Sequence, residues 1–235
     1  MEDVMAKIKN PFAQLSIFER VLYIFSVSLV FLSFVISPEK SVISLLASLI
    51  GVTALIFIAK GYVIGQVLII IFALLYGVVS FLQGYYGEVL TYVGMSAPMA
   101  VVSMISWIKN PYKGTKTVKI NRLRWYHIVI MLVLVALVTL AFYFILGALG
   151  TSSLLVSTLS VATSFAAVFL TFLRSPYYAV CYALNDVVLI VLWVIASIND
   201  PSRISMVICF AVFLINDLHG FISWKRMEKY QRNNT

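Results

Sequence analysis

The chain has 235 residues, 62% of them hydrophobic and 11% charged, with a formal net charge of +8 and a mean hydropathy of +1.02. That leaves too little polar surface to cover a water-soluble domain of this size, so a soluble globular fold is excluded and a bilayer is the solvent. The sequence holds no Walker loop, Gly-x-Ser-x-Gly elbow, His-Glu-x-x-His helix or dinucleotide fingerprint, so ATP hydrolysis is excluded, and neither enzyme activity nor a cofactor is expected.

In chain order, the first 20 residues are too polar for a signal peptide and are expected at the membrane interface. Within them Ser16-Ile17-Phe18-Glu19 resembles a capping box that opens the first helix. Eight apolar stretches follow: Val21 to Ser37, Ser41 to Ala59, Gly61 to Gln83, Glu88 to Trp107, Tyr126 to Gly147, Ser152 to Leu173, Pro176 to Ile198 and Ile204 to Trp224. Each is near the ~20 residues a helix needs to cross about 30 Å of hydrocarbon. Apolar residues run around every face instead of alternating, which predicts helices and not barrel strands. The expected fold is therefore an all-α membrane protein with eight transmembrane helices. In the fourth, Pro98 removes a backbone hydrogen bond and predicts a kink or hinge. Cys181 and Cys209 lie inside apolar runs without a Cys-x-x-Cys partner, and His127 and His219 have no second ligand at i+4. No disulfide and no metal centre is expected.

Orientation follows from the cations. With the N-terminus inside, fifteen of seventeen Lys and Arg fall on the cytoplasmic side, from Lys7 and Lys9 through the loop Lys109 to Arg124 to Arg232, and only Lys40 and Arg203 fall outside. Positive loops resist translocation, so both termini are expected to be cytoplasmic. The basic loop reads as a partner for anionic lipid head groups, and no nucleic-acid partner is expected.

Comparison of the chain with itself suggests a repeat. Span four ends Ser106-Trp107-Ile108-Lys109 and span eight ends Ser223-Trp224-Lys225, while Lys60 and Arg174 mark equivalent short basic turns at nearly the same separation. Spans 2 to 4 and 6 to 8 then form two parallel three-helix units with span 5 between them. The predicted organisation is 1–40, N-terminal segment and first span; 41–107, first unit; 108–150, basic loop and linker span; 151–224, second unit; and 225–235, cytoplasmic tail.

Polar interruptions concentrate in the last two spans, at Asn185-Asp186 and Asn216-Asp217. At 100° per residue Tyr178, Cys181, Tyr182, Asn185, Asp186, Leu189 and Trp193 share an arc of about 140° on span 7, with Val188 taken as opposite. A carboxylate unpaired in hydrocarbon is costly, so Asp186 and Asp217 are expected to point into the protein. Aromatic planes with one or two amides suit a flat heterocycle on a sugar, and a cationic ring would gain from the aromatic faces. Gln66 and Tyr76 on span 3 are the corresponding wall of the first unit. Trp107 and Trp224 read as interfacial belt residues, with a gate as the alternative.

With Tyr86-Gly87-Glu88, Pro98-Met99, Ser106-Trp107-Ile108-Lys109-Asn110 and Asn216-Asp217-Leu218-His219-Gly220-Phe221-Ile222-Ser223-Trp224-Lys225, the chain resembles the PnuC family of vitamin and nucleoside transporters, which share an architecture with the SWEET facilitators. The family's substrate motif Trp-x-x-Trp-x-x-x-Asn falls on Tyr178, Cys181 and Asn185: the asparagine is kept, and the second aromatic is cysteine. The resemblance implies an inner-membrane facilitator of nicotinamide riboside, trapping of the substrate by a separate cytosolic kinase, and self-association, as a trimer. Thiamine or a deoxynucleoside is the alternative cargo. A membrane-embedded enzyme or a non-transporting scaffold is the alternative class.

Overall fold

The computed structural model describes residues 11–38, 40–151 and 153–234. Lys7, Lys9, Ser152 and Thr235 lie outside these residues, as does most of the segment expected at the interface. Among the described residues, eight helices are long and apolar enough to cross a membrane: α1 Ile17–Ile36, α2 Val42–Ala59, α3 Val63–Leu82, α4 Tyr86–Ile108, α5 Trp125–Ala148, α6 Leu154–Phe172, α7 Tyr178–Asn199 and α8 running from Ile204 to Asn233. Helix α1 begins four residues before its apolar run. Its capping box reaches back that far: the Ser16 N–H donates to Glu19 Oε2 (2.7 Å) and the Glu19 N–H to Ser16 Oγ (3.2 Å), satisfying donors that a helix start leaves open. Helix α8 continues past Trp224, where the apolar run stops, because nothing in Lys225 to Asn233 breaks a helix.

Helix α4 is irregular where Pro98 predicts it. Residues Leu90–Ser96 form a wide π turn, and the Ala97 N–H reaches back five residues to the Tyr92 carbonyl. Pro98 has no N–H and its ring crowds the carbonyl of Gly94, so the extra residue in the turn relieves both.

The arrangement that positions the site is a ring. Helices in contact are α2 with α3, α3 with α4, α4 with α6, α6 with α7, α7 with α8, and α8 with α2, which closes the circuit. Helix α1 packs outside on α2 and α8, and α5 packs on α6. Among the described residues of α5, Leu146 alone is buried. A helix apolar on all sides and so little covered is solvated by lipid.

The basic loop does not hang free. The Val118 N–H donates to the Gly61 carbonyl (3.0 Å) at the α2–α3 turn, where Gly61 has φ +69°. Gln231 on α8 accepts from the Ile120 N–H (2.9 Å) and donates to the Val118 carbonyl (3.0 Å). Arg174, in the α6–α7 turn, donates to the Lys119 carbonyl (3.1 Å) and to Ser106 Oγ (2.7 Å). Half-burial lowers its guanidinium pKa from the ordinary value. Much of the loop is folded onto the end of the bundle, while Lys113, Lys116, Lys119 and Arg122 stay exposed.

Candidate substrate cavity

At the centre of the ring lies a cavity of about 40 Å³. Its wall comprises Leu55 and Ile58 of α2, Ile69, Phe72 and Ala73 of α3, Tyr92 and Ser96 of α4, Ser164 of α6, Tyr178, Tyr182, Asn185 and Asp186 of α7, and Phe210, Phe213 and Asp217 of α8. That volume has room for a few waters at most, so a nucleoside-sized ligand requires the walls to part.

Helix α7 turns its predicted arc inward. Tyr178, Asn185, Asp186, Leu189 and Trp193 are all buried, whereas Val187, Val191 and Val194 are exposed and form the outer stripe. Val188 is not opposite the site. It is 9% exposed and lies three residues beyond Asn185, about 60° round the helix from it, at the edge of the inner face.

Asn185 is tied to α6, its Oδ1 accepting from the hydroxyls of Thr163 and Ser164 at 2.9 Å each. Asp186 and Asp217, each 3% exposed, stand on the same cavity wall, and Asp186 Oδ2 makes no hydrogen bond. His219, a conceivable partner for Asp217, faces α1 instead, with Nε2 3.8 Å from Glu19.

Other expected residues fall elsewhere. Asn216 donates to Ser26 Oγ (2.9 Å) and to the Val212 carbonyl (2.8 Å), which ties α8 to α1. Cys181 is half-buried and off the wall, and Gln66 is buried off the wall with Nε2 unpartnered. Tyr76 and Trp193 form a roof: Trp193 Nε1 donates to Tyr76 Oη (2.9 Å), and the Tyr76 ring stacks on Phe72 and meets Tyr92 edge-on at 4.4 Å. Beyond them Tyr85 packs on Trp193 and accepts from Arg203 (3.0 Å).

The floor corrects the belt reading of Trp107 and Trp224, which are 1% and 0% exposed. Trp107 Nε1 donates to the Thr171 carbonyl (3.0 Å) and Trp224 Nε1 to the Ile58 carbonyl (2.8 Å). The preceding serines do the same, Ser106 to the Phe172 carbonyl (3.0 Å) and Ser223 to that of Ala59 (2.7 Å). The two indole rings meet at 5.3 Å, with Tyr178 against Trp224 at 4.8 Å.

Sequence reasoning missed Tyr92, Phe72, Phe210 and Phe213. A signal existed for α8: Phe210, Phe213 and Asp217 repeat the i, i+3, i+7 spacing of Tyr178, Cys181 and Asn185.

A polar and aromatic chamber at membrane depth, sealed at both ends, suits a carrier, and the class is a multi-pass membrane transporter. The chain belongs to the family described as nicotinamide mononucleotide transporter, whose model matches residues 41–226. A nicotinamide riboside transporter, PnuC, from Neisseria mucosa is 25% identical over 90% of this chain and 82% of its own length. A crystal structure of the vitamin B3 transporter PnuC has a TM-score of 0.81 over 92% of this chain and 94% of that one, at 22% identity, which shows the shared fold.

Proposed function

We propose that the chain carries nicotinamide riboside passively across the inner cell membrane, with both termini cytoplasmic and a separate kinase trapping the product. The observation that carries this reading is the central cavity, where aromatic faces from four helices surround Asn185. The riboside is favoured over the mononucleotide because, among the described residues, no Lys or Arg lines the cavity to hold a phosphate. Residues 41–107 and 151–224 are read as parallel units, supported by the matched Ser-Trp bonds, each pair reaching the last turn of the first helix of the other unit. These bonds close the cytoplasmic route, and opening inward requires breaking them.

Flux into proteoliposomes tests the reading. With the membrane potential clamped at zero, uptake of nicotinamide riboside should stop when internal and external concentrations match, whatever proton or sodium gradient is imposed. Accumulation above that level, abolished by a protonophore, would show coupled transport.

A further inference from the structure

The centre of the bundle is acidic and lacks a counter-charge. Asp186 and Asp217 stand on the cavity wall. Glu88, 1% exposed, is buried on α4 with neither carboxyl oxygen hydrogen-bonded. Among the described residues no Lys, Arg or His lines the cavity, and no ion pair involves these three carboxylates. The other titratable groups facing the aspartates are Tyr92, Tyr178, Tyr182 and Cys209, all without positive charge.

Two carboxyl groups on one buried wall resist ionising together, so the pair carries at most one net negative charge. A buried charge without a partner is unfavourable, and a ligand that supplies the opposite charge gains the interaction that the protein withholds. The faces of Tyr92, Tyr178 and Tyr182 add attraction for a cationic ring. We propose that the Asp186–Asp217 pair is the counter-ion for a cationic heterocycle, and selects it over a neutral ring of the same shape. This rests on the riboside reading above and adds the charge on the ring as the feature recognised.

The experiment compares nicotinamide riboside, whose pyridinium is cationic, with its neutral dihydro form by titration calorimetry on the purified protein. Wild type should bind the cation roughly tenfold or more tightly. Asp186→Asn alone or Asp217→Asn alone leaves one carboxylate on the wall and should keep the preference, whereas the two together remove the charge and should bring the two affinities within about threefold of each other, with the dihydro form still bound. That last measurement shows that the cavity of the double variant is intact. Equal affinities in wild type overturn the proposal without any variant, as does a preference that survives in the double variant. Binding of neither form by wild type would instead overturn the riboside reading, and this proposal with it.

Discussion

We propose two jobs for Asn185. Its Oδ1 accepts from Thr163 and Ser164, so it joins α6 to α7, and its amide group on the cavity wall is the part we read as meeting a ligand. Asn185→Ala should weaken nicotinamide riboside binding by ~1–3 kcal/mol, one to two decades, and also lower the melting temperature. Thr163→Val with Ser164→Ala removes the tie and spares the amide, so it should lower the melting temperature while affinity stays within about threefold. Loss of affinity equal to that of Asn185→Ala would assign the residue to helix packing alone. Tyr178→Phe should have little effect, because the ring contact with Trp224 survives. The sequence made Asn185 visible because an amide in an apolar run is rare. It could not show that Asn216, equally rare, turns to Ser26 of α1, since that depends on how α8 is rotated against its neighbours.

Helices were legible because each apolar run has the length of a membrane crossing. The inner face of α7 was legible too, since its polar and aromatic residues recur at helical spacing. The floor was not: a tryptophan before lysine reads the same whether it faces lipid or bonds to another helix, and only tertiary contact decides. Trp107→Phe with Trp224→Phe keeps an aromatic ring at each position and removes both N–H donors. The carbonyls of Thr171 and Ile58 keep their backbone donors, the N–H groups of Arg174 and Gly61, and each loses one hydrogen bond worth about 0.5–1.5 kcal/mol, so the melting temperature should fall. A cysteine at Ile58, with Cys181 and Cys209 replaced by alanine, should label faster from the cytoplasmic face in this background. Unchanged labelling would show that the tryptophans are not part of the inner closure.

At the scale of the whole molecule, charge is what predicts orientation. On the proposed reading the lopsided cations put the basic loop inside, so a single cysteine at the exposed Lys116 should resist impermeant thiol reagents in intact cells and react in inside-out vesicles. Labelling in intact cells would reverse the orientation. The closed ring of α2, α3, α4, α6, α7 and α8 was not legible, because helix neighbours are set by side-chain fit between segments far apart in the chain. The docking of the loop onto Gln231 and Gly61 was hidden for the same reason.

That docking bears on whether the polypeptide needs to be continuous. Lys113 and Gly114 both have positive φ, at 45° and 68°, and form an exposed tip beyond the bonds made by Val118, Lys119 and Ile120. A protease site inserted at Gly114 should therefore be cut without separating the fragments, which the helix contacts and loop bonds would hold together. Co-elution of the two pieces with ligand affinity retained is the expected outcome. The peptide link between the halves would then serve to deliver them together during synthesis, and the assembled carrier would no longer depend on it.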